Sequence, residues 1–136
     1  MIRKALLFIT YAIAAFAMDA AYWSYESPFS LRKDEFAVFE IDNNILTVRW
    51  SLFHNKGLVT HIKYDHMPYQ NILYDDYKLN AMKIAVKTNT KVTPPLPYVM
   101  IVFEGFDRDR NVSNMKLYLF DHESAVTIRK VSDDRS

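Results

Sequence analysis

Cysteine is absent from the 136-residue chain, which excludes disulfides, thiolate metal sites, iron–sulfur ligation and a thiol nucleophile at once. Glycine is almost absent as well. Gly57 and Gly105 are the only two, too few for a glycine-rich loop that cradles phosphate with backbone N–H groups. Neither sign of charge predominates: 17 Lys and Arg face 16 Asp and Glu for a net +1. A protein that neutralises nucleic-acid phosphates carries a cationic face, so nucleic acid is not an expected partner. What the chain does hold is apolar and aromatic material. With 50% hydrophobic and 15% aromatic residues it can form one domain with a core, and a disordered chain is ruled out.

The one sustained apolar stretch lies near the start, where Arg3-Lys4 precede the largely apolar residues 5–17 and then Met18-Asp19. A basic start, a short apolar stretch and the small-x-small triplet Ala15-Phe16-Ala17 are the parts of an export signal, with a mature chain beginning at Met18. The alternative is an uncleaved anchor. A helix continued to Trp23, at about 1.5 Å per residue, approaches the roughly 30 Å thickness of membrane hydrocarbon. Tyr22, Trp23 and Tyr25 would then be interfacial aromatics, with Arg3 and Lys4 on the cytoplasmic side. A signal peptide over 1–17 and a membrane anchor over 1–23 both predict a hydrophobic N-terminal helix. Both place the body in the periplasm or another extracytoplasmic space, touching membrane only through that helix if it is retained.

Residues 24–33, containing Pro28, read as a linker or entry segment. Beyond it the hydrophobic period becomes two, the signature of strands. In 45–53, Leu46, Val48, Trp50 and Leu52 alternate with Thr47, Arg49 and Ser51, giving one core face and one wet face. Residues 36–41 form a hairpin with this strand across Asp42-Asn43-Asn44, since Asn and Asp tolerate left-handed backbone angles. His54-Asn55-Lys56-Gly57 makes the next turn, with Gly57 available for positive φ, and 58–64 continues the meander. Residues 82–88 alternate around Lys83 and Lys87, and Thr93-Pro94-Pro95-Leu96-Pro97 stops regular structure. The unbroken apolar run 98–103 suggests a central strand covered on both faces. Residues 115–120 and 125–131 form a last hairpin, and 132–136 are a tail. Between Tyr64 and Met82 the spacing of Tyr69, Leu73 and Tyr77 favours a short helix over a hairpin at Asp75-Asp76. The expected fold is mainly β: an antiparallel meander of about seven strands over 34–131, forming a sandwich or partly closed barrel.

No constellation specifies a reaction. Asp107, Asp109 and Asn111 alternate as in the opening of a calcium loop, but Val112 stands where such a loop needs glycine and Tyr118 where it needs a bidentate glutamate. A solvated turn is the better reading. His54, His61 and His66 fall close together with Asp65 beside them, yet they belong to a turn, a strand and a loop with no common face, so no metal and no cofactor are expected. Ser51, Ser113 and Ser124 lack a nucleophile-elbow context, and Glu40, Glu104, Asp75 and Asp76 are scattered. The residues best suited to a protein contact are Met67, Tyr69, Tyr74, Asp75, Asp76 and Tyr77, because tyrosine brings large apolar area and a hydroxyl at small entropic cost. The expected role is an exported or membrane-tethered, non-enzymatic module with a protein partner. It would inhibit a toxin or lytic enzyme, as an immunity protein does, or serve as an accessory subunit of a membrane assembly. A β-barrel carrier of an apolar ligand is the alternative, and a hydrolase a further one.

Overall fold

The computed structural model describes residues 23–76, 78–88 and 91–131. Nine strands account for most of them: β1 (Trp23–Arg32), β2 (Ala37–Ile41), β3 (Asn44–His54), β4 (Gly57–Tyr64), β5 (Met67–Tyr74), β6 (Ala81–Ala85), β7 (Tyr98–Asp107), β8 (Val112–Phe120) and β9 (Ile128–Val131). They pair antiparallel into a four-stranded sheet, β1-β8-β7-β6, and a five-stranded sheet, β5-β4-β3-β2-β9. The N-terminal helix expected over 1–17 or 1–23 falls almost wholly outside the described residues, as does the tail 132–136. Among the described residues no helix is long and apolar enough to cross a membrane.

The expected meander is present from β2 to β4 and is extended by β5, and its turns explain its register. Asp42, Asn55-Lys56 and Asp65-His66 all take positive φ, which matches the right-handed twist of the strands they join. Gly57 does not serve this purpose. It opens β4, and its missing Cβ makes room for Ile72 and Tyr74, whose Cγ2 and Cε1 would each lie 3.0 Å from one. The two sheets enclose a core of alternating side chains, including Phe39, Leu46, Val48 and Trp50 from one and Val99, Ile101, Phe103, Met115 and Leu117 from the other. The Trp50 indole N–H donates to the Leu31 carbonyl at 2.8 Å, tying β3 to β1 within the core.

Five local expectations are corrected. Of residues 24–33, expected as a linker, all but Lys33 belong to β1, which runs along β8; Pro28 is tolerated because β1 is an edge strand. The helix favoured between Tyr64 and Met82 is instead β5 and a turn, since pairing with β4 outweighs the helical spacing. The apolar run 98–103 lies between β6 and β8, but only Val99, Ile101 and Phe103 are fully buried, while Tyr98, Met100 and Val102 face outward half-covered. Residues 115–120 and 125–131 do not pair with each other: β9 crosses to the other sheet beside β2. Asp121 makes that crossing, its buried carboxylate accepting from Ala125 N–H at 3.0 Å and Val126 N–H at 2.9 Å. Finally Leu52, expected in the core, is 54% exposed. The register shifts between Trp50 and Leu52, so Ser51 is an extra residue and Phe53 turns inward instead.

Candidate binding surface

Residues opposite one another in an antiparallel ladder share a face, so the outer face of the five-stranded sheet can be assembled from the register. Thr47, Lys63 and Pro68 form one cross-strand row and Arg49, His61 and Gln70 the next. Beyond the bulge come Leu52, Val59 and Ile72, then His54, Gly57 and Tyr74. The face therefore divides into a polar, cationic half and an apolar half.

The cationic half is concave. A groove of about 500 Å3 opens there, lined by Phe36 ahead of β2, Thr47, Arg49, His61, Ile62 and Lys63 on β3 and β4, and Pro68, Tyr69 and Gln70 on β5. Arg49 is held by Asp34, Nη1 to Oδ1 at 2.8 Å, with its guanidinium carbon 6.0 Å from the centre of the Phe36 ring. The bulge brings Ser51 onto His61, with Oγ and Nε2 2.7 Å apart. Burial depresses the His61 pKa below its ordinary value and the Arg49 charge lowers it further, against a smaller opposing pull from Asp34. A neutral imidazole accepting the Ser51 hydroxyl proton fits that direction. The arrangement resembles the first two members of a catalytic triad, yet Asp34, the acid whose charge reaches the ring, gives its carboxylate to Arg49.

The apolar half continues onto β5 and the turn after it. Among the described residues nine large apolar side chains stand well exposed, and eight of them, Phe36, Ile45, Leu52, Met67, Tyr69, Ile72, Tyr74 and Leu79, belong to the five-stranded sheet or its adjoining turns. Leu96 is the ninth. No such side chain lies on a strand of the other sheet, whose outer rings cover one another: Trp23 lies 4.6 Å from Tyr118 and Tyr98 stacks on Phe120 at 4.7 Å. Of the eight, Leu52, Ile72 and Tyr74 lie on neighbouring outward rows, and exposed apolar surface of this kind is characteristic of contact sites.

Of the residues expected to bind a partner, Met67, Tyr69 and Tyr74 lie on β5 and are exposed. Pairing sorts them differently from the expectation of one loop: Tyr74 shares the outer face with Ile72, whereas Met67 and Tyr69 stand opposite Tyr64 and Ile62 and flank the seam between the sheets. Asp75 and Asp76 follow in the turn, where Asp76 accepts from Lys78 N–H at 3.0 Å, so its carboxylate serves the turn. Tyr77 lies outside the described residues. Phe36, Leu52, Ile72 and the groove residues Arg49, His61, Lys63 and Gln70 were not anticipated. The alternation of β3 and β4 marked several of these as outward-facing, but not that their rows would align.

The edge of β5 is guarded against strand addition. Pro68 has no N–H, the Ile72 N–H is taken by Asn71 Oδ1 at 2.8 Å and the Tyr74 N–H by the Leu79 carbonyl at 2.9 Å. Alternate residues of a strand point their backbone groups the same way, so three of the four donors on this side are withheld. Side chains on the face, not the backbone of the edge, are what it offers. His54, His61 and His66 remain apart, and no group of three metal-ligating side chains gathers among the described residues. The chain matches no protein-family model, no curated protein and no solved structure.

Proposed function

We propose that this chain is a non-enzymatic protein-binding module, exported or tethered by its N-terminal segment, that engages its partner through the outer face of the five-stranded sheet. The observation that supports this reading is the cluster of Leu52, Ile72 and Tyr74 on neighbouring outward rows of a sheet that, with its turns, holds eight of the nine large apolar side chains exposed among the described residues. Leaving them in water forgoes roughly 25 cal/mol for each Å2 of apolar surface that a partner would cover. The filled interior, where Phe39, Phe103 and Met115 are each at most 1% exposed, favours this reading over a carrier of an apolar ligand. Within it, an inhibitor of a toxin or lytic enzyme and an accessory subunit of a membrane assembly both fit a face that offers apolar and cationic side chains for contact.

Site-specific photo-crosslinking in the native host tests it. A benzophenone side chain at Ile72 or Leu52 should give one discrete higher-mass adduct, and the same group at Lys83, exposed on the other sheet, should not. Equal labelling from both sheets, or none from either, would defeat the proposal. N-terminal sequencing of the same material decides the address: a start at Met18 means a cleaved signal, and an intact Met1 in the detergent-extracted fraction means an anchor.

A further inference from the structure

We infer that the groove beside the apolar half is a receptor for an acidic, extended segment of a protein partner, with a carboxylate seated between Arg49 and Lys63. This rests on the protein-binding reading and names the chemistry of that partner. The argument begins with spacing. Arg49 and Lys63 occupy neighbouring strands and adjacent outward rows, and strands about 4.8 Å apart with rows about 7 Å apart bring two long cationic side chains over one concavity.

Their charges are available to different degrees. The Lys63 side chain has no ion pair or hydrogen bond among the described residues, and it lines the groove. Arg49 gives Nη1 to Asp34, which leaves other guanidinium donors for a second carboxylate. The acids nearby are already engaged: Asp65 with Lys87, and Glu40 with Arg129 at 2.7 Å. No acid lines the groove, whereas Gln70 adds an amide and Phe36 an aromatic wall. A carboxylate entering here meets Lys63 uncompensated and Arg49 shared with Asp34, with no acid among the lining residues to displace. The apolar row of Leu52, Val59 and Ile72, next along the sheet, would then take the segment's neighbouring apolar residues.

The test uses the full-length, 15N-labelled chain and three probes: a capped peptide of alternating Asp and Glu, its Asn/Gln isostere, and inorganic phosphate. The acidic peptide should shift the amides of Thr47, Arg49, His61, Lys63 and Gln70 and leave β7 and β8 unmoved. Lys63→Gln should weaken that binding about fivefold and Lys63→Glu by tenfold or more, both worsening with added salt. Lys63 is exposed, so unchanged melting of these variants confirms that the fold is kept. Equal binding of the isostere, shifts centred elsewhere, or indifference to Lys63→Glu would overturn the inference, and tighter binding of phosphate than of peptide would overturn the peptide as ligand. If the Ile72 cross-link forms as before in Lys63→Glu while the acidic peptide shifts nothing, the groove is wrong and the module stands. If the peptide binds as stated and no cross-link forms, the reverse holds.

Discussion

Trp50 is the side chain on which the two sheets most visibly depend, because one residue supplies both core volume and a buried hydrogen bond across to β1. Trp50→Ala should cost about 3–5 kcal/mol. Trp50→Phe keeps most of the volume but orphans the Leu31 carbonyl, for about 1–3 kcal/mol. Equilibrium denaturation measures both, and a Trp50→Phe cost near zero would mean that the hydrogen bond adds nothing. Ser113 poses the opposite case: its hydroxyl is buried with no partner among the described residues, so Ser113→Ala should leave stability unchanged or raise it, and a clear loss would mean that the hydroxyl is bonded. His61 gives a pH signature. Its folded pKa is depressed by burial and by Arg49, with Asp34 opposing, so the unfolded chain takes up the proton first as pH falls. Its contribution is complete above the unfolded value of about 6.5 and is lost as pH drops through the folded value. Melting temperatures from pH 7.5 downward should fall more steeply for the native chain than for His61→Gln; parallel curves would refute the shift.

At the scale of elements, the β2–β4 meander was legible because period-two alternation and Asn- or Asp-bearing turns reinforce one another, whereas the helical spacing of Tyr69 and Leu73 hid β5. What escaped were features that depend on partners distant in sequence. Pro28 disguised β1, since nothing local shows that β8 will pair with one side of it and leave the other free. A single inserted residue, Ser51, exchanged the faces of Leu52 and Phe53, and alternation carries no mark of a bulge. The binding residues were half legible: tyrosine content pointed to β5, but the groove is made by rows across β3, β4 and β5 that exist only once the register is set. The β8–β9 crossing was invisible for the same reason, and it yields a test. Asp121→Ala strips one buried and one half-buried N–H group of their acceptor and should cost about 2–3 kcal/mol. Amide exchange should then quicken in β9 and along β2 before β7 and β8 respond; uniform acceleration would show that the corner is no separate unit of stability.

For the whole molecule, the two outer faces have opposite assignments. The four-stranded sheet covers its own aromatic surface, with Lys83 over Tyr98 at 4.5 Å and Lys116 bonded to Glu26 at 3.0 Å beside Tyr118. The five-stranded sheet leaves Leu52, Ile72 and Tyr74 to water. Rings that stack on one another contribute about 0.5–1.5 kcal/mol per pair beyond their buried area, whereas exposed side chains with few neighbours contribute within about half a kcal/mol of nothing. A double dissociation should result. Tyr98→Ser, which unstacks Phe120, should lower the denaturation midpoint while leaving cross-linking from position 52 intact. Ile72→Ser should leave the midpoint in place and abolish that cross-link. Gly57→Ala should behave like Ile72→Ser in weaker form, because its Cβ pushes the Ile72 and Tyr74 side chains aside and meets only the His54 carbonyl of the backbone, at 3.3 Å. If Ile72→Ser destabilised the fold as much as Tyr98→Ser, the exposed residues would be contributing to packing, and the five-stranded sheet would lose its claim to be the face that a partner covers.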